Sequence, residues 1–373
     1  MGDVRVLHVM EALEGGTARH LVDLVRNATG VEHHVAIPSR RVGALTDLAA
    51  AGRMADAGAV VHVTEMRRSA LAPANAAALA RLVGLVRTTQ PALVHGHSAV
   101  GGALGRVAGT LTRRPRVYTP HGITPGRAAL AVERGLGVLT DRLIAIAEGE
   151  AAQLLALRLV PPSRLVTIAN GIELQGWAPP AATPDLRALL GLSARVPLIG
   201  TISRLVHVKA PERFTRVAGL VLAARPDAHA VLVGDGPMRE AVDPSLLPAG
   251  TASRFHHLPA LHDAGEVLGQ LDVFVLTSRS EGCPYSVLEA MRAGTPPVLT
   301  DVIGSRDMLV DRVSGHLVPE HDQALMAAVV LDLLADDARR RAVGAAAREH
   351  VRRFDVRGMG EALVTLYTEL AAG

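Results

Sequence analysis

The chain has 373 residues, 49% of them hydrophobic and 20% charged, which is the composition of a globular protein and excludes a disordered one. One ordinary core does not accommodate this length, so two domains are expected. The single cysteine, Cys283, excludes a disulfide framework and a cysteine-based zinc site, and it fits a reducing compartment. Aromatic residues make up only 2% of the chain, which argues against base stacking on nucleic acid.

The net charge of +3 conceals an uneven distribution. Residues 1–178 carry 19 basic and 13 acidic side chains, whereas residues 179–373 carry 20 and 23. A basic first half can attract an anionic substrate or anionic lipid headgroups, although two ordinarily solvated surfaces would have the same composition. The sequence contains no signal peptide and no apolar stretch that could span a bilayer. We therefore expect a cytoplasmic protein, with peripheral contact at the inner membrane face as an open alternative.

Short apolar runs alternate with segments of helical periodicity along the whole chain. The runs predict strands at 5–10, 34–38, 60–64, 92–95, 116–119, 143–147, 165–169, 198–202, 230–233, 273–276, 297–299 and 316–318. Between them, segments such as 76–86 and 212–224 have apolar residues at helical spacing. This alternation is typical of parallel sheets covered by helices. It predicts an α/β protein with two doubly wound, Rossmann-like domains facing a central cleft.

A proline-rich stretch at 177–184 is the predicted linker between the two domains. The first domain then covers residues 1–178 and the second covers 179–358. The last segment, 359–373, is predicted to be a helix that crosses back to the first domain.

The segment 280–294 has the most informative pattern in the chain. Glu281 lies in the loop that follows the strand at 273–276, and Glu289 lies about two turns further on, in the helix. Amides at a helix start are unpaired and can hold an anion. Four residues supply them here: Gly282, Cys283, Tyr285 and Ser286. The pattern predicts a phosphate site flanked by two carboxylates.

Lys209 is the only lysine in the chain, and the other 38 Lys and Arg residues are all arginine. It lies with Arg204 in the loop after the strand at 198–202. Loops at the carboxyl ends of parallel strands hold ligands in open sheets. A compact ammonium is suited to a phosphate oxygen, so this loop is a second candidate phosphate contact.

These motifs resemble those of the retaining glycosyltransferases of family 4, which have the GT-B fold. The segment from Glu281 to Glu289 is similar to the family's E-x7-E signature, and Arg204 and Lys209 resemble its diphosphate-binding pair. Further similar motifs occur in the right order along the whole chain: Gly15-Gly16, Thr119-Pro120-His121-Gly122, Asn170-Gly171-Ile172 and Gly234-Asp235-Gly236-Pro237.

The resemblance implies a catalytic group of His121, Arg204, Lys209 and Glu281. Arg204 and Lys209 would hold the donor's diphosphate and stabilise the charge of the leaving group. Glu281 would accept hydrogen bonds from hydroxyls of the donor sugar. His121 would bind a sugar hydroxyl or the β-phosphate, although a buried structural histidine is the alternative.

The resemblance also implies a set of donor-binding residues. Glu289 would bind the ribose hydroxyls, while backbone groups would hold phosphate oxygens at Gly15, Gly16, Gly234, Gly282, Cys283, Tyr285 and Ser286. The first domain would bind the acceptor and the second the nucleotide-sugar donor.

No cofactor and no metal are expected, because the two basic side chains can replace a cation and no Asp-x-Asp pair occurs in the sequence. His95-Gly96-His97 raises the question of a metal site, but a role in lining the cleft or in structure is favoured. The family pattern implies retention of configuration, with the leaving phosphate helping to deprotonate the acceptor.

The expected activity is sugar transfer from a nucleotide-diphosphate sugar, such as a UDP or GDP sugar, to an acceptor hydroxyl. A lipid-linked glycan or polysaccharide acceptor is favoured, and a small natural product is the alternative. An epimerase or sugar-phosphate synthase of the same fold, and a non-catalytic sugar-nucleotide binding protein, remain open. The stretch 301–307 departs from the family pattern, and only Gly304 and Asp307 match part of it.

Overall fold

The computed structural model describes residues 4–39, 47–68, 72–122, 126–177, 183, 185–261 and 264–373. The chain forms two compact units. The first consists of Met1–Gly171 together with Val356–Gly373, and the second of Ile172–Asp355.

The first unit is a seven-stranded parallel sheet covered by helices. Its strands are β1 (Val4–Met10), β2 (Val31–Ile37), β3 (Val60–Val63), β4 (Leu93–His97), β5 (Arg116–Thr119), β6 (Arg142–Ala145) and β7 (Leu165–Thr167). Its helices before the second unit are α1 (Gly15–Asn27), α2 (Leu48–Asp56), α3 (Pro73–Thr89), α4 (Ala99–Leu111), α5 (Arg127–Gly137) and α6 (Glu148–Ala156). The strand order is β3-β2-β1-β4-β5-β6-β7.

The second unit repeats this arrangement with six parallel strands. These are β8 (Leu198–Ile202), β9 (His229–Val233), β10 (Phe255–Leu258), β11 (Val273–Leu276), β12 (Pro297–Thr300) and β13 (His316–Val318), in the order β10-β9-β8-β11-β12-β13. The helices are α7 (Leu186–Leu189), α8 (Pro211–Ala224), α9 (Tyr285–Ala293), α10 (Ser305–Met308), α11 (Gln323–Ala335) and α12 (Asp337–His350). The prediction of two Rossmann-like parallel-sheet domains is confirmed.

The prediction missed β10. Its sequence, Phe255-His256-His257-Leu258, has only two apolar residues, separated by two histidines, and β10 is a partly buried strand at the edge of its sheet. The other strands are found within a few residues of their predicted positions.

In each sheet the strand order reverses next to its first strand. The chain moves outward from β1 to β2 and β3 and then returns to β4 on the other side of β1. It does the same around β8, which lies between β9 and β11. Loops that leave neighbouring strands on opposite sides of such a point diverge and open a crevice, where ligands bind in this class of sheet. Two loops therefore border the crevice in each unit: those after β1 and β4 in the first, and those after β8 and β11 in the second.

The first unit ends at Gly171, before the predicted linker. Most of that linker, 178–182 and 184, is outside the described residues. Ile172 belongs to the second unit because its amide donates to the Phe354 carbonyl at 2.9 Å. Trp177 belongs there because its indole donates to Glu266 at 2.9 Å and its ring lies 3.9 Å from the Arg292 guanidinium.

The last helix, α13 (Val356–Ala372), is part of the first unit. It packs on α1 and β1, and its buried face joins the core of that unit through Val356, Met359, Leu363, Leu366 and Tyr367. It begins three residues before the predicted start of the final segment.

Two glycines of α13 provide a matched test of this packing. A Cβ on Gly360 would lie 2.2 Å from the Asn27 carbonyl oxygen, whereas one on Gly358 would meet nothing within 4 Å. We expect Gly360→Ala to lower the free energy of unfolding by about 1–3 kcal/mol, because the backbone of α1 must move. Gly358→Ala should instead raise it by about 0.5–1 kcal/mol.

Urea unfolding followed by circular dichroism measures both values. A Gly360→Ala variant as stable as the Gly358→Ala variant would show that α13 does not pack tightly on α1.

Candidate active site

The loops after β8 and β11 bring Lys209 and Glu281 into direct contact. The Lys209 Nζ donates to both carboxylate oxygens of Glu281, at 2.6 and 2.8 Å. The hydroxyl of Ser278 donates to the same carboxylate. The side chains are 18% and 6% exposed, so the ion pair is largely shielded from water. Arg204 lies at the start of the loop that carries Lys209.

Two glycines let a second turn pack closely against the loop after β8. Gly234 and Gly236 follow β9 and both have φ 153°. A Cβ on Gly234 would lie 1.9 Å from the Ser203 carbonyl oxygen, and one on Gly236 would lie 2.5 Å from that of Leu205. The Leu205 amide in turn donates to the Asp235 carbonyl at 2.8 Å. The close backbone approach holds the turn at 234–237 beside Arg204.

The start of α9 offers backbone amides beside Glu281. Pro284 occupies the N-cap and makes no side-chain capping bond. The thiol of Cys283 is buried and its Sγ lies 3.5 Å from the Met308 Sδ, so the side chain of this residue points away from a bound anion. Gly304, at φ 86°, packs against the same loop, because its Cβ would lie 2.1 Å from the Gly282 carbonyl oxygen.

Glu289 is buried on α9, where its carboxylate faces a glycine that sequence analysis did not single out. A Cβ on Gly265 would lie 2.2–2.4 Å from the carboxylate atoms of Glu289. Any side chain at 265 would therefore displace the carboxylate. Gly265 belongs to none of the matched motifs, so the sequence contained no signal for it.

The first unit places the remaining predicted residues at the ends of its own strands. Gly15 and Gly16 form the first turn of α1, directly after β1, and Gly15 has φ 50°. The N-cap residue Glu14 makes no side-chain capping bond there. His121 follows β5 with φ 61°, a conformation that few residues other than glycine adopt.

Glu150 supports the strained loop at His121, and sequence analysis missed it. One of its oxygens accepts from the Gly122 amide at 2.6 Å and the other from the Ile146 amide at 2.7 Å. Burial raises the pKa of this carboxyl. Glu150 lies in the first turn of α6, beside Glu148, where acidic residues are common, so its sequence context does not mark it as a functional residue.

Six histidines form one group in the first unit, which we call the histidine cluster: His8, His20, His33, His95, His97 and His121. All are buried except His121, which is partly exposed. Burial lowers the pKa of each of them, to about 4 for His20 and His33, so the cluster is uncharged at neutral pH. His95 has structural partners on both nitrogens, with the Tyr367 hydroxyl 2.6 Å from Nδ1 and the Thr119 hydroxyl 2.8 Å from Nε2.

Both units match known glycosyltransferase families. Residues 14–175 match the family described as Glycosyltransferase Family 4, and residues 183–350 match Glycosyl transferases group 1.

Individual relatives agree with this result. The chain is 28% identical to the D-inositol 3-phosphate glycosyltransferase of Thermobispora bispora, over 95% of this chain and 90% of that protein. It is 28% identical to the UDP-Gal:alpha-D-GlcNAc-diphosphoundecaprenol alpha-1,3-galactosyltransferase of Escherichia coli, over 65% of this chain and 66% of that protein. The crystal structure of Anabaena HepE in complex with UDP-glucose superposes with a TM-score of 0.81 at 20% identity, covering 98% of this chain and 99% of HepE.

The chain therefore belongs to the family-4 glycosyltransferases, and its fold is GT-B. The family resemblance and the activity class predicted from the motifs are confirmed. No described helix is long and apolar enough to cross a membrane.

The contact between Lys209 and Glu281 can be tested through stability. Lys209→Met leaves a carboxylate that is only 6% exposed without its cation. We expect the free energy of unfolding to fall by about 2–4 kcal/mol, at the lower end of the range for buried pairs because Lys209 is partly exposed. Adding Glu281→Gln should restore most of the loss, since no charge is then left unpaired.

A double-mutant cycle in urea measures this coupling. Independent, additive effects of the two substitutions would contradict the contact.

Proposed function

We propose that this protein transfers a sugar from a UDP-sugar to an acceptor hydroxyl, with retention of configuration and without a metal ion. The observation that carries the proposal is the pairing of Lys209 with Glu281 beside the start of α9. It puts a cation, a hydrogen-bond acceptor and helix-start amides within one small region. Uridine diphosphate is favoured because one relative is named for UDP-Gal and the similar HepE structure is a complex with UDP-glucose.

The ammonium of Lys209 can serve two partners. In the structure it contacts Glu281, and a donor diphosphate would draw it toward phosphate oxygens, together with Arg204. The Glu281 carboxylate would then accept from hydroxyls of the sugar. Charge on the leaving diphosphate grows as the glycosidic bond breaks, so fixed cations stabilise the transition state more than the ground state.

Glu289 and the helix-start amides would bind the remaining parts of the donor, which are the ribose and the diphosphate. A carboxylate accepts two hydrogen bonds from the vicinal hydroxyls of a ribose. Gly265 would leave space for that carboxylate. The amides from Gly282 to Ser286 would hold the diphosphate next to it.

The same leaving phosphate would accept the proton of the acceptor hydroxyl, which attacks from the face that the phosphate leaves. His121 would bind a hydroxyl near the reacting carbon, held in place by the Gly122–Glu150 hydrogen bond. In this scheme two basic side chains supply the electrostatic stabilisation that a divalent cation supplies in other enzymes.

The acceptor is proposed to carry a phosphate or diphosphate. The names of two relatives identify acceptors of this kind, inositol 3-phosphate and a diphosphoundecaprenol-linked sugar. The excess of basic residues in 1–178 favours such an anion electrostatically.

Glu281→Gln tests the assignment directly. The substitution keeps the shape of the side chain but removes the charge that holds Lys209 and accepts from the sugar. We expect kcat with UDP-glucose or UDP-galactose and inositol 3-phosphate to fall at least about 100-fold, which corresponds to about 2.7 kcal/mol. Glu212→Gln is the matched control, because Glu212 pairs with Arg279 in the same region and should change kcat less than about twofold.

Release of UDP measures turnover, and nuclear magnetic resonance of the product gives the anomeric configuration. Normal turnover of the Glu281→Gln variant would refute its role, and loss of turnover in EDTA would refute the metal-free scheme. Donor consumed without an acceptor, and without hydrolysis, would indicate an epimerase.

We further propose that the first unit contacts anionic membrane surfaces peripherally. A surface cavity of about 660 Å³ is bordered by Arg134, Arg158 and Arg164 and by apolar residues that include Val138 and Leu155. Val138 is 77% exposed and Leu155 38%. Basic side chains around exposed apolar ones match an anionic headgroup above acyl chains.

Sedimentation with vesicles tests this proposal. We expect the protein to bind vesicles that contain phosphatidylglycerol. Binding should weaken several-fold between roughly 0.05 and 0.5 M salt, because a shorter Debye length screens the attraction between the arginines and the headgroups. Arg158→Glu should reduce binding, while Arg312→Glu, on an exposed loop of the second unit, should not. Equal binding to neutral vesicles would contradict the proposal.

A further inference from the structure

The histidine cluster contains ligand nitrogens at metal-binding spacing. One nitrogen each from His20, His97 and His121 lies within 4.8 Å of the other two. The Nδ1 of His97 and the Nε2 of His121 are 3.3 Å apart. In a tetrahedral zinc site with Zn–N bonds of about 2.0–2.1 Å, neighbouring ligand nitrogens are roughly 3.3 Å apart. Two of the three nitrogens therefore already have the required separation.

A chain of hydrogen bonds determines which nitrogen of His97 has a lone pair. The chain starts at the carbonyl of Ala28, which can only accept, so the Nε2 of His33 donates to it at 3.3 Å. The Nδ1 of His33 then accepts from the Nε2 of His8 at 3.0 Å. The Nδ1 of His8 in turn accepts from the Nε2 of His97 at 3.2 Å. Each ring carries one proton when neutral, so the Nδ1 of His97 is left with its lone pair.

A separate contact leads to the same result for His20. Its Nδ1 donates to the amide oxygen of Asn170 at 2.8 Å, which leaves the lone pair on Nε2. That Nε2 is buried and has no hydrogen-bond partner among the described residues. The ring packs against His121, with centroids 4.6 Å apart. An unpaired buried acceptor is unfavourable, and a cation bound to it would satisfy it.

We propose that His20, His97 and His121 form a binding site for a divalent transition-metal cation of the zinc type. The ligands are the Nε2 of His20, the Nδ1 of His97 and the Nε2 of His121. Asn170 and His8 act as the outer partners that orient two of the rings, as carboxylates and carbonyls do at other histidine sites. Three imidazoles suit Zn²⁺, Co²⁺, Ni²⁺ or Cu²⁺ and are poor ligands for Mg²⁺.

A second group of three histidines, His8, His95 and His97, has a similar spacing but is less suitable. Both nitrogens of His8 and both of His95 already have partners within 3.2 Å. Binding there would break these hydrogen bonds. The proposed site replaces only the contact in which the Nε2 of His121 donates to the Nδ1 of His97, and His121 then carries its proton on Nδ1.

The site is accessible and would oppose sugar transfer. His20 and His97 are buried, but His121 is partly exposed, so a cation can enter from its side. A bound cation would hold the ring of His121, which is proposed to bind a sugar hydroxyl. The metal would therefore inhibit transfer, which is consistent with a reaction that needs none.

Titration of the full-length protein with CoCl₂ tests the site without any donor. We expect one equivalent of Co²⁺ to bind with the intense visible absorption of a four-coordinate ion, and to be displaced by ZnCl₂ but not by MgCl₂. Absence of this absorption would overturn the proposal. Since no sugar nucleotide is present, failure here is distinct from failure of the proposed transfer activity.

Variants identify the ligands. His20→Gln and His97→Gln should each weaken binding at least about tenfold. His95→Gln should retain binding, and so should His62→Gln. His62 is outside the cluster, and its Nε2 lies 2.9 Å from the Nδ1 of His34. Zinc should also inhibit transfer by the His20→Gln variant less than by the wild type. Loss of binding in His95→Gln with retention in His20→Gln would overturn the assignment.

Discussion

The site depends on one constraint of parallel sheets, which is that every strand ends at the same edge. Reversal of the strand order around β8 puts the loops after β8 and β11 side by side. Lys209 and Glu281 are far apart in the chain, yet the ammonium and the carboxylate meet at 2.6 Å. The same reversal around β1 brings His8 and His97 into contact. Each unit thus gathers its polar residues at the point where its sheet changes direction.

Close backbone approach gives these loops their shape. At Gly234, Gly236 and Gly304 a Cβ would lie within 2.5 Å of a neighbouring carbonyl oxygen. The phosphate-binding candidates therefore lie on a framework with little room for adjustment. Rigid placement of charges is what lets them stabilise a transition state without reorganisation. Lys209 is the exception, since a flexible side chain on this framework can pass from a carboxylate to a phosphate.

The fold was predictable because most buried parallel strands contain an apolar run, whereas β10, with His256 and His257 at its centre, contains none. The motifs identified Lys209 and Glu281 separately, but their contact could be predicted only with knowledge of the strand order, which places β8 next to β11. Glu150 accepts a hydrogen bond from the Gly122 amide, and Gly265 leaves space for the carboxylate of Glu289. The partners in both contacts are more than 20 residues apart in the chain, so the sequence pattern does not reveal them. The histidine cluster was missed for the same reason, because its members come from different strands and loops.

The placement of α13 also affects how the chain is made. The first unit includes Val356–Gly373, which is synthesised after the whole of the second unit, whereas the second unit, Ile172–Asp355, is continuous. During synthesis the second unit can complete its core while the first still lacks the side chains of Leu363 and Tyr367. Domains generally fold as units when their residues are available. The N-terminal unit would thus mature after the second unit, and its histidine-rich interior would close only once α13 has been synthesised.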